Sequence, residues 1–304
     1  MSDSRRSRTA VFAWGAIVVI ILGVVGLVTY ALTHVSTPAT VTQTALTSPA
    51  VLAAVSTVPP ATFDAVGVSV SGVDLTAPRV VAGQRQLTSG GLPEVLAVGA
   101  EYCPFCAAER WPLVVALARF GHFTVLHDAT SSAQSVFPGT PTFSFDGVRY
   151  TSRYLALTGI ELFSDQIGPD GTFIRIARLS PAESALVASF TGDPGSGSGS
   201  APFVDVAGRM VATTSAFSPA LLAGLSQSQV ADDVAKPTAT SGTAPSGTGP
   251  ALPVGQAILA AANQLTAGMC AATAQQPAAV CRSRGVRTAD QALGLAPPPP
   301  ISGD

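Results

Sequence analysis

The tetrapeptide Cys103-Pro104-Phe105-Cys106 constrains this chain more than any other feature, because of what flanks it. Residues 93–99 (PEVLAVG) form a short apolar run bounded by glycine, the pattern of a buried strand. After the motif, Trp111, Val114, Val115, Leu117 and Ala118 recur at helical spacing, and Gly121 ends the stretch. The two cysteines therefore open a helix that follows a strand. A helix N-terminus offers unpaired backbone N–H groups and the positive end of the dipole, both of which stabilise a thiolate. Three residues of separation place Cys106 one turn on from Cys103, and Pro104 suits the first turn, where its missing N–H costs nothing.

That placement predicts thiol–disulfide exchange. Cys103, expected to be the more exposed sulfur, attacks or is attacked to give a mixed disulfide, and Cys106 resolves it. Tyr102 and Phe105 would supply an apolar rim for peptide substrates, and no cofactor is needed. Two blander readings compete. Zinc ordinarily takes two such pairs, or one pair with spaced histidines, and the nearby histidines are His122 and His127. A permanent structural disulfide is the other alternative, and would leave a binding module rather than an enzyme.

The rest of the chain divides by composition. Residues 1–9 are a basic tail carrying Arg5, Arg6 and Arg8, and residues 10–32 are an uncharged apolar run. At 1.5 Å per residue that run spans about 35 Å, enough for a transmembrane helix with its N-terminus cytoplasmic. A cleaved signal peptide is the rival, but its apolar region is normally shorter. Either way the main domain would be extracytoplasmic, in an oxidising compartment. Residues 33–60 read as a Ser/Thr/Pro-rich stalk and 61–235 as the main domain. Residues 236–250 read as a linker, 251–290 as a helical C-terminal segment, and 291–304 as a Pro-rich tail.

Within the main domain, residues 123–127, 142–145, 149–154 and 173–177 are predicted strands, with Asp146-Gly147 and Asp170-Gly171 as turns. Residues 181–190 read as a helix, 202–206 with 208–211 as a hairpin, and Ser218-Pro219 as a helix start. The charged residues are 11% of the chain and the net charge is −2, with no basic stripe, which excludes nucleic acid as a partner. The expected partners are thiols or disulfides of exported proteins or peptides, together with a redox partner.

Residues 99–111 (GAEYCPFCAAERW), 140–145 (TPTFSF) and 202–206 (PFVDV) resemble an uncharacterised family of membrane-anchored thioredoxin-like proteins, a domain of unknown function. The resemblance runs from about residue 80 to 281, with Pro112 as the proline early in the helix after the motif. It implies an α/β thioredoxin-like fold with an inserted β segment. One transmembrane helix would precede it and a small disulfide-stapled helical segment would follow it. Such folds place a cis-proline opposite the cysteines. Pro202, which precedes the terminal hairpin and helix, is favoured over Pro141 for that role. The family implies activity only by analogy.

Four further groups complete the expectations. Glu101 is the candidate proton relay for the resolving thiol, against an exposed strand-end position. Glu109 and Arg110 read as a solvated helix face, and His127 with Asp128 as a structural pair. Cys270 and Cys281, 11 apart in an exported chain, read as a disulfide staple, with an electron shuttle as the rival.

Overall fold

The computed structural model describes residues 22–26, 44–192, 202–237 and 253–295. The chain divides into two compact units, residues 1–40 and 41–304. Of the first unit only residues 22–26 are described, and they are helical, so the predicted membrane span at 10–32 lies largely outside the described residues. Among the described residues no single helix is long and apolar enough to cross a membrane.

The second unit is mixed α/β. It opens with two short helices, α1 (Pro49–Ser56) and α2 (Pro60–Val66). Ser48 caps α1 by accepting the Val51 N–H, and Val51, Val55 and Phe63 are buried in the main core. Residues 49–60 are therefore part of the folded unit, not of a stalk. Their composition is stalk-like, but the apolar residues recur at helical spacing and find a core to enter.

Strands β1 (Arg79–Val80) and β2 (Thr88–Ser89) lead to β3 (Leu92–Gly99), the centre of the sheet. The helix α3 (Pro104–Ala118) follows, and then a long hairpin of β4 (Gly121–Thr130) and β5 (Pro141–Ser152). Next come β6 (Ala156–Glu161), β7 (Phe163–Ile167), β8 (Phe173–Arg175) and α4 (Pro181–Thr191). The chain ends with β9 (Phe203–Val206), β10 (Met210–Ala212), a 3-10 turn at Pro219–Leu222, α5 (Gln227–Ala235), α6 (Val254–Ala272), α7 (Ala278–Cys281) and α8 (Arg284–Leu293).

In the main sheet β3 pairs in parallel with β6 on one side, through Val95 with Leu157, and antiparallel with β9 on the other, through Ala97 with Val204. Antiparallel β10 and β1 extend the β9 side. Period-2 alternation splits the side chains of β3 between two faces. Val95 and Ala97 join Val204, Val206 and Met210 in the core with α3 and α6, while Leu96 and Val98 join Phe203, Val211 and Val187 of α4. Buried on both faces, β3 reads in sequence as one continuous apolar run.

Two expectations of local structure need correction. Residues 142–154 are not two strands separated by a turn: Pro141–Ser152 is one strand paired with β4. The partners jump from His127 with Ser144 to Val125 with Arg149, so Asp146-Gly147 sits in a bulge, with Gly147 at φ 65. The C-terminal helices, read as a separate segment, share the main core. Helix α6 packs on α3, α5 and α8, and a Cβ on its Gly268 would lie 2.3 Å from Met210 Cε. Asn263 of α6 donates to the carbonyls of Phe63 and Gly67 at 2.9 and 2.8 Å, clamping α2 onto the C-terminal helices.

Candidate active site

The site forms where β3 ends and α3 begins. Cys103 is the N-cap of α3, and its Sγ accepts the Cys106 backbone N–H at 3.2 Å. Pro104 occupies the first turn. Both cysteines are thiols, not joined to each other. Both cysteines are buried, Cys103 1% and Cys106 2% exposed, and they differ in setting: Cys103 lines an open pocket and Cys106 a small inner cavity. The cover is aromatic. Tyr102 stacks on Phe173 with ring centroids 4.1 Å apart, and Phe105 meets Phe137 edge-on at 5.9 Å.

Chemically the two sulfurs are unlike. The hydrogen bond from the Cys106 thiol, reinforced by backbone N–H groups and the Arg110 charge, lowers the Cys103 pKa. Burial pushes Cys106 well up, as does its donation to Cys103. Of the pair, Cys103 is the sulfur that more readily becomes a thiolate and Cys106 the one that holds its proton.

Cys103 lines a pocket of about 320 Å³ with Tyr102, Pro104, Phe105, Val136 and Phe173. Tyr102 and Phe105 are the rim expected from the sequence, whereas Val136 and Phe173 are added by the fold. They reach the site on the β4–β5 loop and on β8, and nothing local marks them. Val136 is 77% exposed at the pocket edge, an unusual place for a large aliphatic side chain.

Cys106 borders a second cavity, of about 10 Å³, on the inner side. Its lining includes Gly99, Glu109, Arg110, Glu161 and Pro202. Pro202 thereby shares a cavity with Cys106; its peptide bond to Ala201 lies outside the described residues. Pro141 sits elsewhere, at the start of β5, where its carbonyl accepts the Trp111 indole N–H at 2.8 Å. Among the described residues the Thr140–Pro141 bond is not cis.

The acidic and basic expectations also need correction. Glu109 and Arg110 are not a solvated face: they are 2% and 4% exposed. Glu109 accepts the Ala216 N–H at 2.8 Å, and burial raises its pKa to about 8. Arg110 donates from Nε to Glu161 at 2.9 Å and from Nη2 to the Ala100 carbonyl at 2.9 Å. The reason is that α3 is covered by β4, β5 and α6 together, so charged residues on it are enclosed and must find distant partners. Glu101 is likewise buried, accepting from Ser144 Oγ at 2.5 Å, and burial raises its pKa. His127 shares a hydrogen bond with the Asp146 carbonyl rather than forming a unit with Asp128, whose backbone N–H donates to Ala45.

Cys270, at the end of α6, and Cys281, in α7, form a disulfide with Cα atoms 5.5 Å apart. Both lie in the main core, outside the pockets that hold Cys103 and Cys106. Among the described residues no cluster of three or more His, Cys, Asp or Glu is arranged to hold a metal ion.

Residues 79–179 match a family described as Domain of unknown function (DUF929). The matched stretch runs from β1 to just before α4 and includes Cys103, Cys106, Arg110 and Glu161. It stops short of Pro202 and of the Cys270–Cys281 disulfide. No curated protein and no solved structure matches the chain.

Proposed function

We propose that this protein is a thiol–disulfide oxidoreductase with a thioredoxin-like core, anchored in the cell membrane by residues 10–32 and acting on exported proteins or peptides. The observation that carries the reading is the asymmetry of the two thiols: Cys103 capping α3 with a lowered pKa, Cys106 one turn on with a raised one. A purely structural pair has no need of that difference. The core supports it. The order β10-β9-β3-β6, with β6 parallel to β3 and the others antiparallel, puts the motif at the end of a central strand. Pro202 then opens β9 beside Cys106, as a thioredoxin-like fold requires. The β4–β5 hairpin is the inserted segment, and it carries one wall of the pocket.

In exchange, the Cys103 thiolate attacks a substrate disulfide, forming a Cys103–substrate bond and releasing one substrate thiolate, which takes a proton. Cys106 loses its proton and attacks Cys103 Sγ, closing the Cys103–Cys106 disulfide and releasing the second substrate thiolate. The substrate gains two electrons and the pair loses two; the reverse sequence oxidises a dithiol. The apolar pocket beside Cys103 favours substrates with a bulky apolar side chain next to the reacting cysteine.

The deep burial of Cys103 favours one competing reading, a binding module in which the pair is a permanent disulfide. The two part on Cys106→Ala. For the oxidoreductase, this variant accumulates mixed disulfides on Cys103 that are visible on non-reducing gels and absent from Cys103→Ser. Their absence, with a reduction potential below about −300 mV for the wild-type pair, establishes the binding module instead.

A further inference from the structure

Which way electrons flow depends on what stabilises the reduced pair, and the inner wall of the site bears on this. Arg110 lies on α3 one turn beyond Cys106 and is 4% exposed. Glu161 at the end of β6 holds it by accepting from Nε and Nη2, and the Ala100 carbonyl accepts from Nη2 as well. Its Nη1 is buried with no hydrogen-bond partner. A Cβ on Gly99 would lie 3.2 Å from Cys106 Sγ and 3.4 Å from Arg110 Nη2, so thiol and guanidinium border the same space. A fixed cation, held from behind, faces the sulfur that leaves when the pair is reduced.

We propose that Arg110, anchored by Glu161, is a positioning residue that poises Cys103–Cys106 as an oxidant of substrate dithiols. The inference rests on the oxidoreductase reading and gives it a direction. A charge placed in a dry site is costly unless an opposite charge faces it. In the reduced pair the charge rests on Cys103, which Arg110 also favours, and whatever stabilises that charged form makes a dithiol pair a stronger oxidant.

A substrate thiolate attacks Cys103 Sγ of the oxidised pair, the Cys103–Cys106 bond breaks, and Cys106 leaves as a thiolate beside Arg110. The second substrate thiolate then attacks the substrate sulfur of the mixed disulfide, closing the substrate's disulfide and releasing Cys103. Two protons leave the substrate thiols, two electrons enter the pair, and a partner disulfide later removes them.

The other ionisable groups around Cys106 do not take over this role. Burial is the chief cause of the raised Cys106 pKa and persists, whereas the hydrogen bond and charge of Cys103 are gone at the moment Cys106 leaves, because Cys103 is then covalently occupied. Glu109, on α3, is held as the neutral acid by burial, with a pKa of about 8. Glu101, after β3, is raised by burial and accepts from Ser144. Glu161 on β6 is engaged by Arg110 and by the Phe145 N–H at 3.1 Å. Arg110 is the cation that opposes the burial of Cys106.

The test equilibrates the full chain in detergent, Cys270–Cys281 intact, against glutathione buffers and reads the Cys103–Cys106 state by thiol alkylation. Arg110→Met is expected to shift the equilibrium toward the disulfide about tenfold, or ~30 mV. Glu161→Gln, which removes the charge that offsets Arg110, is expected to shift it the other way, and Arg110→Lys to restore part of the wild-type value. If Arg110→Met alone does not fold, Arg110→Met with Glu161→Gln leaves no unpaired buried charge and is expected to shift in the same direction as Arg110→Met, by less. Folded variants that stay within twofold of wild type, or single variants that move in the same direction, overturn the role of Arg110 while leaving the oxidoreductase reading in place. A wild-type pair that does not exchange with glutathione at all removes the oxidoreductase reading, and this inference with it.

Discussion

The Glu109 carboxyl accepts the Ala216 backbone N–H at 2.8 Å, across 107 residues of chain and fully out of water. Burial raises its pKa from 4.5 to about 8, so the folded protein keeps a proton there that the unfolded chain releases. The stabilising proton is fully present below the unfolded value and is lost as pH rises through the folded one. Wild-type stability is therefore expected to fall by up to about 1.4 kcal/mol per pH unit between about pH 5 and 8 on this account. Glu109→Gln keeps the acceptor and removes the titration. Urea unfolding of the two proteins at pH 5 and pH 8 checks this: the variant's advantage must grow with pH, and a constant difference would refute the role given to burial.

Gly99 has no room to grow. An added Cβ would meet Cys106 Sγ, Cys106 Cβ and Arg110 Nη2 between 3.2 and 3.4 Å, so the neighbours must give way by a few tenths of an ångström. Gly99→Ala is expected to cost about 1–3 kcal/mol of stability, the usual cost of overpacking. It should also slow Cys103–Cys106 closure in a stopped-flow measurement of disulfide formation. Wild-type behaviour in both would mean that the floor of the site is looser than the distances indicate.

The clamp between the two ends of the folded unit runs through Asn263. Its amide donates to the Phe63 and Gly67 carbonyls, while its oxygen accepts from Arg119, whose guanidinium lies 4.0 Å from the Phe63 ring centroid. Asn263→Leu strands these carbonyls and is expected to cost about 2–4 kcal/mol, given ~1–3 kcal/mol for each buried unsatisfied group. Hydrogen exchange should show the loss first in α2 (Pro60–Val66), with the amides of β3 protected longest.

Opening the Cys270–Cys281 disulfide is expected to lower stability by about 2–3 kcal/mol, the loop-entropy value for so short a loop. The double Cys270→Ala, Cys281→Ala variant should exchange thiols at Cys103–Cys106 at the wild-type rate. A large drop in that rate with the fold intact would make this pair an electron shuttle rather than a staple.

The strand, motif and helix were legible because each carries a local signal: the apolar run of β3, Pro104 in the first turn, the helical spacing after it. The helix at 181–190 and the hairpin of 202–206 with 208–211 were legible for the same reason. What the sequence hid depends on distant partners. Arg110 and Glu109 look like surface residues until Glu161, 51 residues on, and Ala216 are placed beside them. Phe173 becomes a pocket wall only when β8 folds over Tyr102. Helix α1 hides in a Ser/Thr/Pro-rich stretch because composition there reports the neighbours rather than Val51 and Val55.

Chains are synthesised from the N-terminus at about 5–20 residues per second. The Phe63 carbonyl waits 200 residues for the Asn263 amide, which at that pace is roughly 10–40 s. For most of that interval β3 and the Cys103–Cys106 motif already exist, while α6, which packs on α3, has not been made. The newborn thiols thus meet their surroundings before Phe137 and Phe173 can cover them and well before α3 has its final packing, and whatever first oxidises this pair has its widest opening then.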